Sequence, residues 1–434
     1  MQISKFQIAI LILFGLAIVG GVIAFSVYKG SGGQTIDLSV WGVMPQTTWN
    51  AWYSSSPIAQ NNLYRITYTT VSEQNFDNEL INALAEGRGP DIVIAFHDRL
   101  LKNQTKLLPI PYTSFSKRDY QNTFIDASSA LMTPEGEMAV PLLIDPLVLY
   151  HNKDTFASYS LVEPPTLWEQ MYPLAQGMTV KDPKSGNIVK PAVPLGSFSN
   201  ILYAKDILAT MIFQAGGKIV SDTEGFITAT LSDSFGAPYP PANSALLFFT
   251  EFSNPAKVFY TWNRSLSDSL SKFSAGDSAM YVGYASDLRK IKDKNPNLVF
   301  DASFLPQATG ATKAITYGKM LSMAVPRGTE KWSSAFGAIF EMMSPQSVDG
   351  LYQTLRLPPA RRDLLKNSPE DPFEAVFFDS AIRAFAWKDP DTDSTSAIFQ
   401  NMIDSVTSGR VRIEDAVFTG QKELQAVIST YKTR

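Results

Sequence analysis

The sequence predicts an α/β protein made of two packed bodies behind an apolar N-terminal segment. Three observations point there. Strand-like and helix-like segments interleave along the chain to its end. Its 434 residues exceed what one ordinary core encloses, which suits two domains or one bilobal unit. An uncharged apolar run of 23 residues fills positions 6–28.

That run is the first element. A bilayer core needs about 20 apolar residues as helix, whereas the apolar part of a secretory signal is about 7–15 residues. Residues 6–28 therefore suit a single spanning helix that anchors the chain. A cleaved signal is the alternative, because Val22-Ile23-Ala24 offers tolerated residues before a cut. Lys5 on one side and Lys29 on the other favour the long C-terminal part outside the cytoplasm. The chain has no Cys, so a lipid cannot be attached to a Cys after the run. Gly30-Ser31-Gly32-Gly33-Gln34 reads as a short tether, and the folded part starts near Ile36.

Residues 36–41 alternate apolar and polar, a strand signature, and 64–71 are β-branched and aromatic, a second strand. Ser72 reads as the N-cap of a helix with Phe76, Leu80, Ala83 and Leu84 on one face and Gly87 at its end. Gly89-Pro90 turns the chain into the continuous apolar strand 91–96, completing a βαβ unit. Residues 140–150 are extended and apolar, broken by Pro141 and Pro146. Thr166-Leu167-Trp168-Glu169 is a capping box opening a helix. Residues 267–273 read as a helix ended by Gly276, followed by a strand at 279–282. Helical patterns at 397–406, closed by Gly409, and at 413–418 finish the chain.

Composition narrows the chemistry. Without Cys and with two His, the chain has no disulfides, thiolate nucleophile, Fe–S cluster or three-His metal site. A net charge of −4 gives no basic footprint for nucleic acid. Neither a dinucleotide fingerprint, a phosphate loop, a nucleophile elbow nor a zinc-protease helix is present.

Six landmarks in order then carry a resemblance. Gly89-Pro90-Asp91 leads through a strand into His97-Asp98-Arg99. Asp145 precedes Leu149-Tyr150-His151-Asn152-Lys153-Asp154. Pro164-Pro165-Thr166-Leu167-Trp168-Glu169 follows, then Phe273-Ser274-Ala275-Gly276-Asp277-Ser278-Ala279-Met280. Leu357-Pro358-Pro359-Ala360-Arg361 and Ser408-Gly409-Arg410 come last. This series resembles the extracellular solute-binding proteins of the maltose-binding type, which serve ABC importers.

The resemblance implies a periplasmic-binding-protein-like bilobal fold, two α/β lobes joined by a multi-strand hinge. It places crossings at Asp145-Pro146, just before Gly318-Lys319 and near Asn367-Ser368-Pro369. The expected organisation is anchor and tether at 1–35, one lobe from 36–144 plus 319–366, and the other from 145–318 plus 367–434. Ligand contacts sit in the cleft between lobes that close by a hinge. By the family's motifs, Asp98 is implied as a sugar-binding acid and Asp145 as the acidic hinge ligand. The bland alternatives are a helix-capping Asp98 and a turn-forming Asp145. The family's stacking Trp falls on Ala95 here, with Phe96 on the opposite strand face, which argues against maltose itself. Replacement platforms are Trp41, Trp49 or Trp52 near the first strand, Tyr284 and Trp387, against plain packing of each. Ser197 and Phe198 fall near another contact loop. Arg99 is expected to pair with a helix-flanking acid, and His97 to be structural.

The expected function is capture of a carbohydrate or similar small polar solute outside the membrane and its delivery to ABC permease subunits. The expected protein is a monomer that is not an enzyme and uses no cofactor or metal. Rival readings are a surface glycoside hydrolase acting through acids such as Asp98 and Asp145, and a sensor or adhesin reusing the lobes.

Overall fold

A computed structural model describes residues 35–432. The expected N-terminal anchor at 6–28 lies outside the described residues. Among the described residues, no helix is long and apolar enough to cross a membrane.

The chain enters through strand β1 (Ile36–Gly42), in which Leu38 and Val40 are buried, and helix α1 (Gln46–Ser55). Strand β2 (Tyr64–Thr70), helix α2 (Phe76–Ala85), strand β3 (Ile92–Phe96) and the short helix α3 (His97–Lys102) follow. β1 pairs in parallel with both β2 and β3 and lies between them, so the second crossover steps over one strand. Ser72 does not cap α2. The N-cap position is Asn75, whose N–H donates to Ser72 Oγ at 3.3 Å, so Ser72 shapes the preceding turn.

Strand β4 (Val140–Asn152) is a single 13-residue strand, buried throughout. The prolines do not break it. The register of its pairing shifts where Pro141 lies opposite Ser322, a bulge that absorbs the missing donor. The helix expected at Thr166 starts differently. Gln170, not Glu169, reaches back, its Oε1 accepting from the N–H groups of Thr166 and Leu167. Helix α4 (Ala204–Gln214), strand β5 (Met280–Tyr284), helix α5 (Asp287–Lys294), strand β6 (Phe300–Ser303) and strand β7 (Thr316–Pro326) come next. Near the C-terminus, helix α6 (Thr392–Thr407) begins five residues before the expected position, because Asp391 caps it through Asp393 N–H and Ser394 N–H. Helix α7 (Ile413–Lys432) closes the chain.

The main sheet of the described residues runs β5-β4-β7-β3-β1-β2, with β6 also on β4. Two buried apolar clusters lie against it. One takes in Leu38, Val40, Ile94, Leu100, Ile144, Met320 and Val325, and continues along one face of β4 to Tyr150, Phe273 and Tyr281. The other takes in Leu147, Leu149, Ile207, Leu208, Val282, Tyr284, Tyr317, Trp387 and Ile398. β4 and β7 thus pass from one core to the other side by side, antiparallel, with Lys319 opposite Asp145 and Gly318 opposite Pro146. The crossing demands a residue without a side chain. A Cβ on Gly318 would lie 2.6 Å from Ile144 Cδ1 and 3.1 Å from Ala384 Cβ.

Candidate functional site

The crossing strands bring the two cores face to face. On the first side, α3 leaves the end of β3 and presents Asp98 in its first turn. On the second, α4 begins with Lys205 and Asp206, and the start of α6 follows Asp389 and Asp391. These side chains form a buried polar seam with Lys319 at its centre.

Asp98 is 3% exposed, with its Oδ2 3.6 Å from Lys319 Nζ and accepting from Thr392 Oγ1 at 3.3 Å. Burial works to raise its carboxyl, but Lys319, with His97, Lys205 and Arg99, holds it well below the usual carboxylate range. Lys319 stays charged. Burial opposes its charge, and Asp98, Asp206, Glu73 and Asp145 outweigh that effect. Its Nζ stands 6.0 Å from the Phe96 ring and 5.7 Å from the Tyr284 ring. Phe96, on the strand face opposite the core-facing Ala95, therefore borders the seam.

Asp145 is buried in the middle of β4, and its Oδ1 accepts from Ser286 N–H at 3.0 Å. Burial pushes its carboxyl up to about 7, against that hydrogen bond. Tyr284 ends β5 and donates its hydroxyl to Asp206 Oδ2 at 2.7 Å. Asp206 Oδ1 is buried with no hydrogen-bond partner. Lys205 Nζ donates to Asp389 at 2.7 Å and to Thr392 Oγ1 at 2.9 Å, and sits 5.9 Å from the Trp387 ring. His97 is fully buried. Its Nδ1 accepts from Met320 N–H at 3.2 Å, and burial lowers its pKa to about 4, so it is a neutral structural histidine.

Further out, a second layer of charges joins α3 to the start of α6. Arg99 lies 3.0 Å from Asp77 and 2.8 Å from Asp393, and Lys102 lies 2.6 Å from Asp393 and 3.4 Å from Asp391. Asp77 sits in the first turn of α2, which makes it the helix-flanking acid expected for Arg99.

The structure brings Asp98, Asp145, Tyr284 and Trp387 to this seam. Trp387 is 3% exposed, and its Nε1 is buried without a partner. Its other flank lines a groove of about 880 Å³, between Tyr112 and Met132 on one side and Phe213 and Asp222 on the other. Lys388 spans that groove's wall, donating to Met132 O at 2.6 Å and bonding to Asp222. Two other expected platforms, Trp49 and Trp52, lie within the first core. Trp49 is 2% exposed in the first core, nearly parallel to Tyr68 at 4.3 Å and to Tyr53 at 5.5 Å, and offers no free face. Trp52 is buried beside it. Trp41 is half-buried on β1 against the first core. Ser197 is buried in the loop between Leu195 and Phe198, with its Oγ unpartnered.

Sequence reasoning placed a crossing beside Lys319 but did not count it as a site residue, and it missed Lys205, Asp206 and Asp389. One signal for Lys205 and Asp206 was available: a charged pair at the start of a mostly apolar helix, all but one of whose residues are buried. Such a pair needs buried partners.

Two apolar clusters, paired long strands running between them and a buried polar seam make up the architecture. Solved structures share it. One is the cyclic alpha-maltosyl-1,6-maltose binding protein from Arthrobacter globiformis, at 15% identity and TM-score 0.76, over 92% of this chain and 100% of that one. Another is a cyclo/maltodextrin-binding protein, at 16% identity and TM-score 0.74, over 92% and 99%. The GacH receptor of Streptomyces glaucescens aligns at 15% identity and TM-score 0.69, over 91% and 99%. At such identities the likeness concerns the fold, which is of the periplasmic-binding-protein type. A sequence comparison with curated proteins found no match. The family model for bacterial extracellular solute-binding proteins matches residues 59–331, and the chain belongs to that family.

Proposed function

We propose that this solute-binding protein captures a carbohydrate between its lobes and passes it unchanged to the permease subunits of an ABC importer. The lobes are taken as 36–144 with 319–366, and 145–318 with 367–434. Asp98, Asp145, Tyr284 and Trp387 are taken as solute contacts. Residues 1–35 would hold a monomer at the extracytoplasmic face of the cell membrane, or release it if the segment is cleaved.

The observation that carries this reading is the seam. A layer of buried hydroxyls, carboxylates and ammonium groups lies between two apolar cores, with orphaned polar atoms on Asp206 and Trp387. Such atoms suit a hydroxyl-rich solute, because each costs about 1–3 kcal/mol while it lacks a partner. The solved proteins that share the fold agree with a sugar. They include complexes with maltotetraose, mannotriose and acarbose. Closure follows from tighter binding of solute to the closed arrangement.

Calorimetry and small-angle scattering on the full chain test this reading. Binding of an oligosaccharide with a fall in radius of gyration is expected. Failure of a panel of maltose-, mannose- and glucosamine-based oligosaccharides to bind would overturn it.

One observation favours a second reading. Asp145 is raised to about 7 while Asp98 is lowered, and a glycoside hydrolase separates its acid from its nucleophile in this way. Turnover of a chromogenic glycoside, lost in Asp145→Asn, would favour that reading.

A further inference from the structure

The seam carries more carboxylate than its ammonium groups neutralise. Lys205 is committed to Asp389 at 2.7 Å, and Lys290 to Asp287 at 2.8 Å. Lys319 alone remains for Asp98 and Asp206, and its nearest carboxylate oxygen belongs to Asp98, while burial raises the Asp145 carboxyl to about 7. Asp145 receives a backbone N–H and Asp206 a tyrosine hydroxyl, so neither has a basic partner of its own. Gathering acids without matching cations in a buried layer is unfavourable unless a cation joins them.

Asp206 supplies an independent mark. It is 4% exposed, its Oδ2 is occupied by Tyr284, and its Oδ1 has no partner. Tyr284, which donates to Oδ2, holds its ring 5.7 Å from Lys319 Nζ, so the Asp206 carboxylate sits within the polar layer. The backbone beside it is strained. Tyr203, the N-cap residue of α4, holds φ 63°, a left-handed conformation that a bulky residue adopts at a cost, and its ring packs edge-on against Tyr284 at 4.5 Å. The same region already accommodates an ammonium, that of Lys319, near the Phe96 and Tyr284 rings.

Building on the carbohydrate reading, we propose that the solute carries a protonated amine, as an amino sugar does, and that Asp206 reads it through Oδ1. Tyr284 fixes the carboxylate by occupying the other oxygen. The remaining sugar hydroxyls then meet Asp98, Lys319 and Asp145. Asp206 is thus a specificity-determining residue that separates amine-bearing from neutral or N-acetylated sugars.

Calorimetry on the full chain tests this with three probes: a glucosamine oligomer, its N-acetylated counterpart and maltotetraose. The glucosamine oligomer is expected to bind at least about tenfold more tightly than the other two, and to weaken as salt rises. Asp206→Asn keeps an acceptor for Tyr284 and removes the charge. It should bring the affinity for the glucosamine oligomer down to that for its N-acetylated counterpart, with circular dichroism and melting confirming that the variant is folded. If the neutral sugars bind the wild-type chain as well as or better than the amine, the amino-sugar inference is wrong and carbohydrate capture stands. If none of the three binds, the amino-sugar inference fails, and failure of mannose-based oligosaccharides as well would overturn carbohydrate capture.

Discussion

The aromatic packing of the first core and the polar seam are both buried, yet they satisfy their polar atoms differently. Around Trp49, the Trp52 indole donates to Ser347 O at 2.8 Å and the Tyr68 hydroxyl to Met44 O at 2.8 Å. At the seam, Trp387 Nε1 and Asp206 Oδ1 are equally buried and have no partner. Satisfied groups rigidify a core, whereas orphaned ones cost stability. The first region is complete within the chain. The second keeps unused hydrogen-bonding capacity.

The contrast breaks if a change in the aromatic core damages binding as much as folding. Trp52→Ala removes one of the largest fully buried side chains and its bond to Ser347. It should cost about 3–5 kcal/mol in urea unfolding and leave the solute affinity of the folded fraction unchanged. A smaller loss, about 3 kcal/mol, is expected for Lys205→Ala, which leaves Asp389 buried without its cation. Replacing both partners by apolar residues, Lys205→Met with Asp389→Leu, should recover most of that loss. A double variant no more stable than the single one would mean the pair holds the seam together.

Titration sharpens the comparison next. Burial raises both Asp145 and the unpartnered Glu137 to about 7. The folded chain therefore binds more protons than the unfolded one between the ordinary carboxylate pKa and about pH 7. These two groups stabilise fully below about pH 4, and that stability is lost as pH rises through 7. Asp98 has the opposite sign, but its loss lies at far lower pH. Burial lowers His97 and His151, whose effect runs the other way up to about pH 6.5, so melting temperature should fall chiefly from pH 6.5 to pH 8, and Asp145→Asn should flatten the slope. The smallest effect belongs to the outer charges. Asp393 is largely exposed where it meets Arg99 and Lys102, so Asp393→Asn should change stability by less than about 1 kcal/mol, and salt should shrink the change further.

The same division separates what could be read from the sequence. The strands at 36–41, 64–71 and 91–96 were legible because their alternation and β-branching are local. The position of Asp98, Asp145 and Tyr284 beside the crossing was legible through motifs or their place after a strand. Trp49 was not, because its burial depends on Tyr68, a partner on the neighbouring strand that no local pattern announces. Pro141 within an unbroken strand depends on a register shift against Ser322, far along the chain. Asp206 lies in an apolar helix with no motif around it. Its role emerges only where α4 meets Tyr284 and Lys319 across the seam.

The most direct test of the central claim is the electron density of a crystal grown with a bound oligosaccharide. The account predicts density between the two cores, touching Asp98, Asp206 and Trp387. A solute seated elsewhere, with the seam unchanged and Asp206 Oδ1 still unpartnered, would contradict it.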